Sequence, residues 1–397
     1  MPEQPIFNPF LADKPAHEYF VGREEELKEL RRYLGQARGG KPSNLYIVGG
    51  GGDGKTSFLL KAIEEAEQQG LLAVFLTIDG TMTQLGLVSV LIESILEKLA
   101  RKSGDKERLR DFRRKDGNPS RFFRLPNCTD ISTKYLKDDL GTVLEHCKKN
   151  GVPAVIFCLD EGQNLRIING QLLAHLRGAI QELGEGFMIV LSSLEDIMPE
   201  VSEKYVGVDR FFPNRLTLGP FGSDDEARLC IKRRLEDLPI TFSSSTIDLV
   251  VRISGRHPRE IIDISHHAFN DAIDSSVTVV TDDMVDAVIR TKFRDKVTWL
   301  EEQLGKLMPD ERDTLCELVV AGGKATVREI AVDLCDTCNE KVIRRMISAL
   351  TADFAGLYER GICKRVGESE KPEAEEQYEI IDPMSVYILE GLLEVRR

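Results

Sequence analysis

The chain alternates between short apolar runs and helical periods. Residues 1–19 hold Pro5, Pro9 and Pro15 and no helical period, which predicts an extended arm. Leu27, Leu30 and Leu34 recur at three- and four-residue spacing, so a helix starts near Arg23, and Gly39-Gly40 end it. Strand 45–48, helix 56–69, strand 72–78 and helix 85–100 follow. A polar stretch then precedes helix 134–149, strand 154–159, helix 170–183, strand 187–191 and a short strand near 216–218. Apolar strands flanked by helices predict an α/β domain, a parallel sheet with helices on both faces.

Beyond Pro220 the strands stop. Helical periods at 223–235, 245–253, 258–272 and 281–290 predict a small all-helical domain, and 291–306 a charged helical connector. From Met308, helices at 309–321, 326–335 and 339–356 precede a hairpin with strands 362–366 and 378–381. Three helices followed by a hairpin predict a winged helix. The expected division is an arm (1–19), a sheet domain (20–220), a helical domain with its connector (221–300) and a winged-helix domain (301–397).

Composition narrows the function classes. With 42% hydrophobic and 30% charged residues in 397, the chain has apolar matter for two or three ordinary globular domains. No apolar run approaches the ~18 residues of a membrane span, so no membrane partner is expected. The start, MPEQPIFNPFLADKP, lacks the pattern of a secretion signal, and the eight cysteines are scattered; a cytoplasmic location is the expectation. A net charge of −13 excludes coating nucleic acid with the whole surface, so any such contact is local.

Two places compete for that contact. Within a basic insertion (101–130), residues 101–124 carry ten basic residues against four acidic ones, with Phe112, Phe122 and Phe123 interleaved. Such a mix suits a phosphate backbone and stacked bases. The winged helix offers Lys341, Arg344, Arg345, Lys364 and Arg365, yet residues 301–397 hold 13 Lys+Arg against 21 Asp+Glu. Its hairpin loop (Glu368, Glu370, Glu373, Glu375, Glu376) would repel phosphate, so docking to a protein stays open beside DNA. Cys335 and Cys338, with no histidine in that domain, read as packing residues and not as a zinc site.

The sharpest chemical signal is Gly49-Gly50-Gly51-Gly52-Asp53-Gly54-Lys55-Thr56-Ser57, between an apolar strand and a helix. Glycines let backbone N–H groups turn inward onto phosphate oxygens at a positive helix end. Lys55 supplies charge for the β- and γ-phosphates and Thr56 an oxygen for Mg²⁺. Next, strand 154–159 delivers Asp160 and Glu161 at its C-terminal end, where parallel sheets bind ligands. Asp160 suits Mg²⁺ through water, and Glu161 suits polarising an attacking water. Strand 187–191 ends in Ser192-Ser193, hydroxyls able to touch a γ-phosphate.

In this order, these motifs resemble the AAA+ class of P-loop ATPases. More narrowly they resemble the branch of origin-recognition/initiator ATPases, archaeal-type winged-helix ATPases and STAND ATPases. The resemblance implies ATP and Mg²⁺ as cofactors and self-association, with the sensor strand 187–191 between the two other motif strands. It implies that Val21 and Arg23, in Phe20-Val21-Gly22-Arg23-Glu24, contact adenine, and that Ser193 is the first sensor. Pro258 and Arg259, in Gly255-Arg256-His257-Pro258-Arg259, would belong to a helical lid, with Arg259 reaching the phosphates. Arg210 stands where the family often carries an arginine finger, with Arg215 as competitor. Asp160-Glu161-Gly162-Gln163-Asn164-Leu165 also resembles the D-E-x-Q-x-L of ATPases that regulate transposition. The implied function is an ATP-hydrolysing ATPase acting on DNA or a DNA-bound complex. The alternatives are a STAND-like switch that assembles with a protein partner without nucleic acid, and a P-loop core with vestigial hydrolysis.

Overall fold

Every residue of three of the expected strands is buried, because each lies inside a sheet covered on both sides. The computed structural model describes residues 7–11, 18–103, 107–113, 123–168, 171–194, 196–205, 207–334, 340–366 and 375–393. Lys106, Arg114, Lys115, Arg121, Phe122, Cys335, Cys338, Glu368, Glu370, Glu373 and the side chains of Arg108, Lys341, Arg344 and Arg345 lie outside the described residues. The chain divides into two units, Asp13–Gly222 and Ser223–Arg397, the latter joined by Met1–Ala12.

The first unit runs α1 (Glu24–Arg38), β1 (Leu45–Gly49), α2 (Lys55–Gln68), β2 (Leu72–Thr77), α3 (Gln84–Ser103), α4 (Glu107–Arg113), α5 (Thr133–Lys149), β3 (Val155–Asp160), α6 (Leu165–Ile168), α7 (Gln171–Leu183), β4 (Phe187–Ser193), α8 (Met198–Lys204) and β5 (Asn214–Leu218). The strands form one parallel sheet in the order β2-β3-β4-β1-β5. β4 therefore lies between β1 and β3, as the resemblance implies. Alternate residues face opposite sides. Tyr46, Val48, Phe157, Ile189 and Leu191 meet one core with Leu91 of α3, Leu140 of α5 and Leu176 of α7. Leu45, Ile47, Ile156, Cys158 and Val190 meet the other with Leu30 of α1 and Phe58 of α2. Each such large side chain contributes roughly 1.5–3 kcal/mol by leaving water. Arg31 clamps α1 to α2 with two bonds of 2.8 Å to Glu65, which hold that carboxyl below its usual range.

The basic insertion differs from expectation. Phe112 and Phe123 are not free to stack on bases: they are 2% and 1% exposed and meet edge-to-face at 5.0 Å inside the core. The backbone N–H groups of Arg124 and Leu125 donate to buried Asp139 at 2.8 Å each, which turns this segment inward. Burial pushes the Asp139 carboxyl up to about 6. Arg113 pairs with Glu93 and Glu97, and Arg124 with Asp138, so part of the positive charge is already neutralised.

The second unit runs α9 (Asp224–Leu235), β6 (Thr241–Phe242), α10 (Ser244–Ser254), α11 (Pro258–Asp274), β7 (Val279–Val280), α12 (Asp282–Lys292), α13 (Arg294–Leu304), α14 (Pro309–Val320), β8 (Lys324–Thr326), α15 (Val327–Asp333), α16 (Glu340–Glu359), β9 (Cys363–Val366), β10 (Gln377–Ile380) and α17 (Pro383–Leu392). An antiparallel sheet, β8-β10-β9, closes on α14–α16 in a helix–strand–helix–helix–hairpin order. On it, Lys364 and Lys324 pair with Glu379, and Arg365 with Glu376. α17, which the hydrophobic pattern had not disclosed, starts at the Asp382 cap and returns to the preceding helices. Lys296 meets Asp382 at 2.7 Å, Arg252 meets Glu390 at 3.2 Å, and the Tyr387 hydroxyl donates to Asp286.

The start of the chain docks on this second unit. Phe10 is fully buried between Phe242 and Phe269, with ring centroids 5.8 and 5.9 Å away. Asn8 Nδ2 donates to the His266 carbonyl and to Asn270 Oδ1, both at 2.8 Å, and His266 Nδ1 donates to the Phe10 carbonyl at 2.5 Å. Among the described residues no helix is long and apolar enough to cross a membrane.

Candidate nucleotide-binding site

The glycine loop leaves β1 at the C-terminal edge of the sheet and enters α2 at Lys55. Gly54 stands at φ 87° as the helix cap, a conformation that favours glycine. Gly49 passes so close to β5 that a Cβ there would lie 2.7 Å from the Leu218 carbonyl. The loop therefore keeps its path only with glycine at these two points.

Lys55 is buried, and its ammonium donates to the carbonyls of Gly49 (2.9 Å) and Gly50 (2.7 Å). Burial lowers its pKa, while Asp53, Asp160 and Glu161 act in the opposite direction. The ammonium thus sits in a partly desolvated cage where added negative charge is favourable. Asp53 turns its carboxylate into the loop and accepts from the Gly50 N–H. One of the N–H groups expected to face phosphate is therefore engaged by the loop's own side chain.

The ends of β3 and β4 converge beside it. Thr56 Oγ1 donates to Asp160 Oδ2 at 2.5 Å, joining α2 to the end of β3. Ser192, on β4, donates to the other oxygen of Asp160. The resemblance assigns the sensor role to Ser193, whereas the hydroxyl that faces Asp160 is that of Ser192. Ser193 Oγ points instead to Gln163 Oε1 at 3.4 Å. Glu161 follows Asp160 in a left-handed conformation (φ 59°), and its carboxylate accepts from Gln163 Nε2.

Arg23 is a second buried cation near the loop. It is 7% exposed and left-handed (φ 66°). Its guanidinium donates to the Asp53 carbonyl at 3.3 Å, to the Pro220 carbonyl at 3.2 Å and to the Gly219 carbonyl, and stacks 5.3 Å from the Phe221 ring. It ties the loop to the segment leaving β5. Val21 beside it is buried, at 7% exposure.

Within the first unit, Arg210 and Arg215 lie away from the loop. The Phe211 carbonyl accepts from Asn44 Nδ2 at 2.9 Å, just before β1 begins. Arg210 therefore stands at the N-terminal edge of the sheet, a five-residue strand, about 16 Å, from its own loop. It is exposed and makes no ion pair among the described residues. Arg215 is committed to Asp196 at 2.5 Å. Pro258 opens α11 in the second unit, and Arg259, 60% exposed, pairs there with Asp263 at 3.6 Å.

Residues 19–190, which span the loop and the ends of β1, β3 and most of β4, match the family described as AAA ATPase domain. Over this segment the chain is similar to AAA ATPase domains. Its parallel order agrees with the fold of solved relatives. The ORC2 protein of Aeropyrum pernix, solved as ADPNP–ADP complexes, is 13% identical, with 98% of this chain and 97% of that one covered and a TM-score of 0.55. Its ADP form gives 14% identity, 97% and 96% coverage and 0.51. An uncharacterised HTH-type transcriptional regulator of Methanocaldococcus jannaschii is 23% identical over 373 residues, which are 89% of this chain and 86% of that protein. Around the matched segment, then, the likeness to the solved structures extends along nearly the whole chain, and it is a likeness of fold.

Proposed function

We propose that the protein binds ATP with Mg²⁺ at residues 49–57, hydrolyses it, self-associates, and acts on DNA or a DNA-bound complex. The observation that carries this is the convergence of Lys55, Thr56, Asp160 and Glu161 at one edge of the sheet of an AAA ATPase domain. The donor set suits Mg²⁺. A carboxylate and a hydroxyl already in contact are hard oxygen ligands that leave other positions to water and phosphate. Among the described residues no group of three or more His, Cys, Asp or Glu offers an all-protein cage instead. When bound, the ion would neutralise phosphate charge.

In this reading the residues divide the work. Lys55 leaves the Gly49 and Gly50 carbonyls for the β- and γ-phosphates, and the loop N–H groups of residues 50–57 surround them. Ser192 holds Asp160, and Glu161 takes the proton of the attacking water. Ser193 senses the terminal phosphate. Arg23 braces the loop, and Val21 lies beside it on the adenine side. Pro258 and Arg259 belong to a lid within 221–300, and 301–397 is a winged helix.

Arg210 lies at the opposite edge of the sheet from its own loop, so its role is to complete the site of a second copy. Phosphate release per molecule is expected to rise with protein concentration, and the rise to flatten in Arg210→Ala. Equal curves for the two proteins would remove Arg210 from that role.

DNA is favoured by the helix–hairpin order of the second unit and by the relative's description as an HTH-type regulator. The test is phosphate release by the unmodified protein with and without DNA, over a salt series. Stimulation that fades steeply with salt is expected. One observation favours the STAND-like alternative: Lys324, Lys364 and Arg365 are already paired with acids on β10 and its approach. Nucleotide-dependent assembly indifferent to DNA would decide for it.

A further inference from the structure

The turn after β3 is wedged rather than loose. A Cβ on Gly162 would lie 2.7 Å from the Ser192 carbonyl and 3.0 Å from Leu191 Cδ1. Asn164 Nδ2 donates to the Ile78 carbonyl, just past β2, at 2.7 Å. The turn is thus fixed to the strand ends on either side of β3. Glu161 keeps a left-handed backbone there, which non-glycine residues adopt only where their surroundings impose it.

Gln163 fills the space between Glu161 and β4. Its Nε2 donates to the Glu161 carboxylate. Its Oε1 accepts from the Leu194 N–H at 3.1 Å and lies 3.4 Å from Ser193 Oγ. Chemistry fixes this orientation: a carboxylate only accepts and an N–H only donates, so the amide satisfies both in one way. Gln163 is therefore a neutral link with one end on each group.

We infer that Gln163 is a positioning residue that couples Glu161 to the sensor end of β4. The inference rests on the assignment of Glu161 above and adds what governs that side chain. Ser193 has one hydroxyl proton. A terminal phosphate that draws it leaves Gln163 held at that end by Leu194 alone, and the amide can shift with Glu161 attached. Occupancy at Ser193 is thereby transmitted to the carboxylate that handles water. Gln163 itself touches neither phosphate nor water.

The full-length chain tests this with Gln163→Leu, which keeps the bulk and removes both bonds. The MgATP KM is expected to be unchanged while kcat falls by about tenfold to a hundredfold, the scale of a misplaced catalytic group. In a Glu161→Gln background, the same change is expected to leave the residual rate alone. An equal fold loss in both backgrounds, or a raised KM with kcat intact, would overturn the inference. A second arm needs no turnover. Hydrogen–deuterium exchange at the Leu194 amide of the nucleotide-free protein is expected to be faster in Gln163→Leu than in the unmodified chain. Equal exchange overturns the link outright. Faster exchange together with undiminished turnover in Glu161→Gln upholds the link and removes the catalytic assignment of Glu161, so the two fail separately.

Discussion

Lys55→Ala is expected to lose ATP binding. This ammonium is buried among the Gly49 and Gly50 carbonyls and is held below its usual pKa by desolvation. Phosphate oxygens would replace those carbonyls with full negative charge. Charge-assisted bonds contribute roughly 1.5–3 kcal/mol each, so two of them correspond to an affinity loss of about a hundredfold or more. The fold should tolerate the change, because Lys55 spans a loop and bridges no core element. The measurement is a thermal shift with MgATP. A ligand at a hundred times its Kd stabilises the unmodified protein by about 2.7 kcal/mol, and that shift should vanish in Lys55→Ala. A retained shift would place the nucleotide elsewhere.

Glu161→Gln is expected to separate binding from turnover. The substitution keeps shape, and an amide oxygen can still accept from Gln163, so the turn against β4 stays in place. Thr56 and Asp160 are untouched, and MgATP affinity should be preserved. What is lost is a group able to take a proton, an effect of about 10²–10⁴ in rate. Phosphate release and nucleotide binding, measured on the same preparation, check both halves. Turnover at the unmodified rate would exclude Glu161 as the base.

The sheet and its phosphate loop were legible because their signals are local. β1, β3 and β4 are apolar up to the polar residues that end β3 and β4, and the glycine run stands between a strand and a helix. What escaped was set by distant partners. β8 is three residues long and exists only through pairing with β10, some fifty positions later. α4 hides in a charged run, and the aromatics there looked like stacking groups until Asp139 and Phe123 turned the segment inward. α17 had a readable start in Asp382-Pro383, a capping residue before proline at the first helical position, which the hairpin pattern overshadowed. Within the site, Asp160, Thr56 and Lys55 followed from motif spacing. The contacts of Gln163 and the embrace of Arg23 by Gly219 and Pro220 did not, since spacing along the chain says nothing of where an amide or guanidinium is caught.

The docking of Asn8 and Phe10 sets an order of events during synthesis. The acceptors for Asn8 stand 258 and 262 residues further along the chain. At about 5–20 residues per second, a ribosome takes about 13–50 s to reach them. Through that interval the Phe10 ring has no site, while all five strands of the parallel sheet emerge and can pair. Asn8 and Phe10, made before the sheet, thus find their place after it.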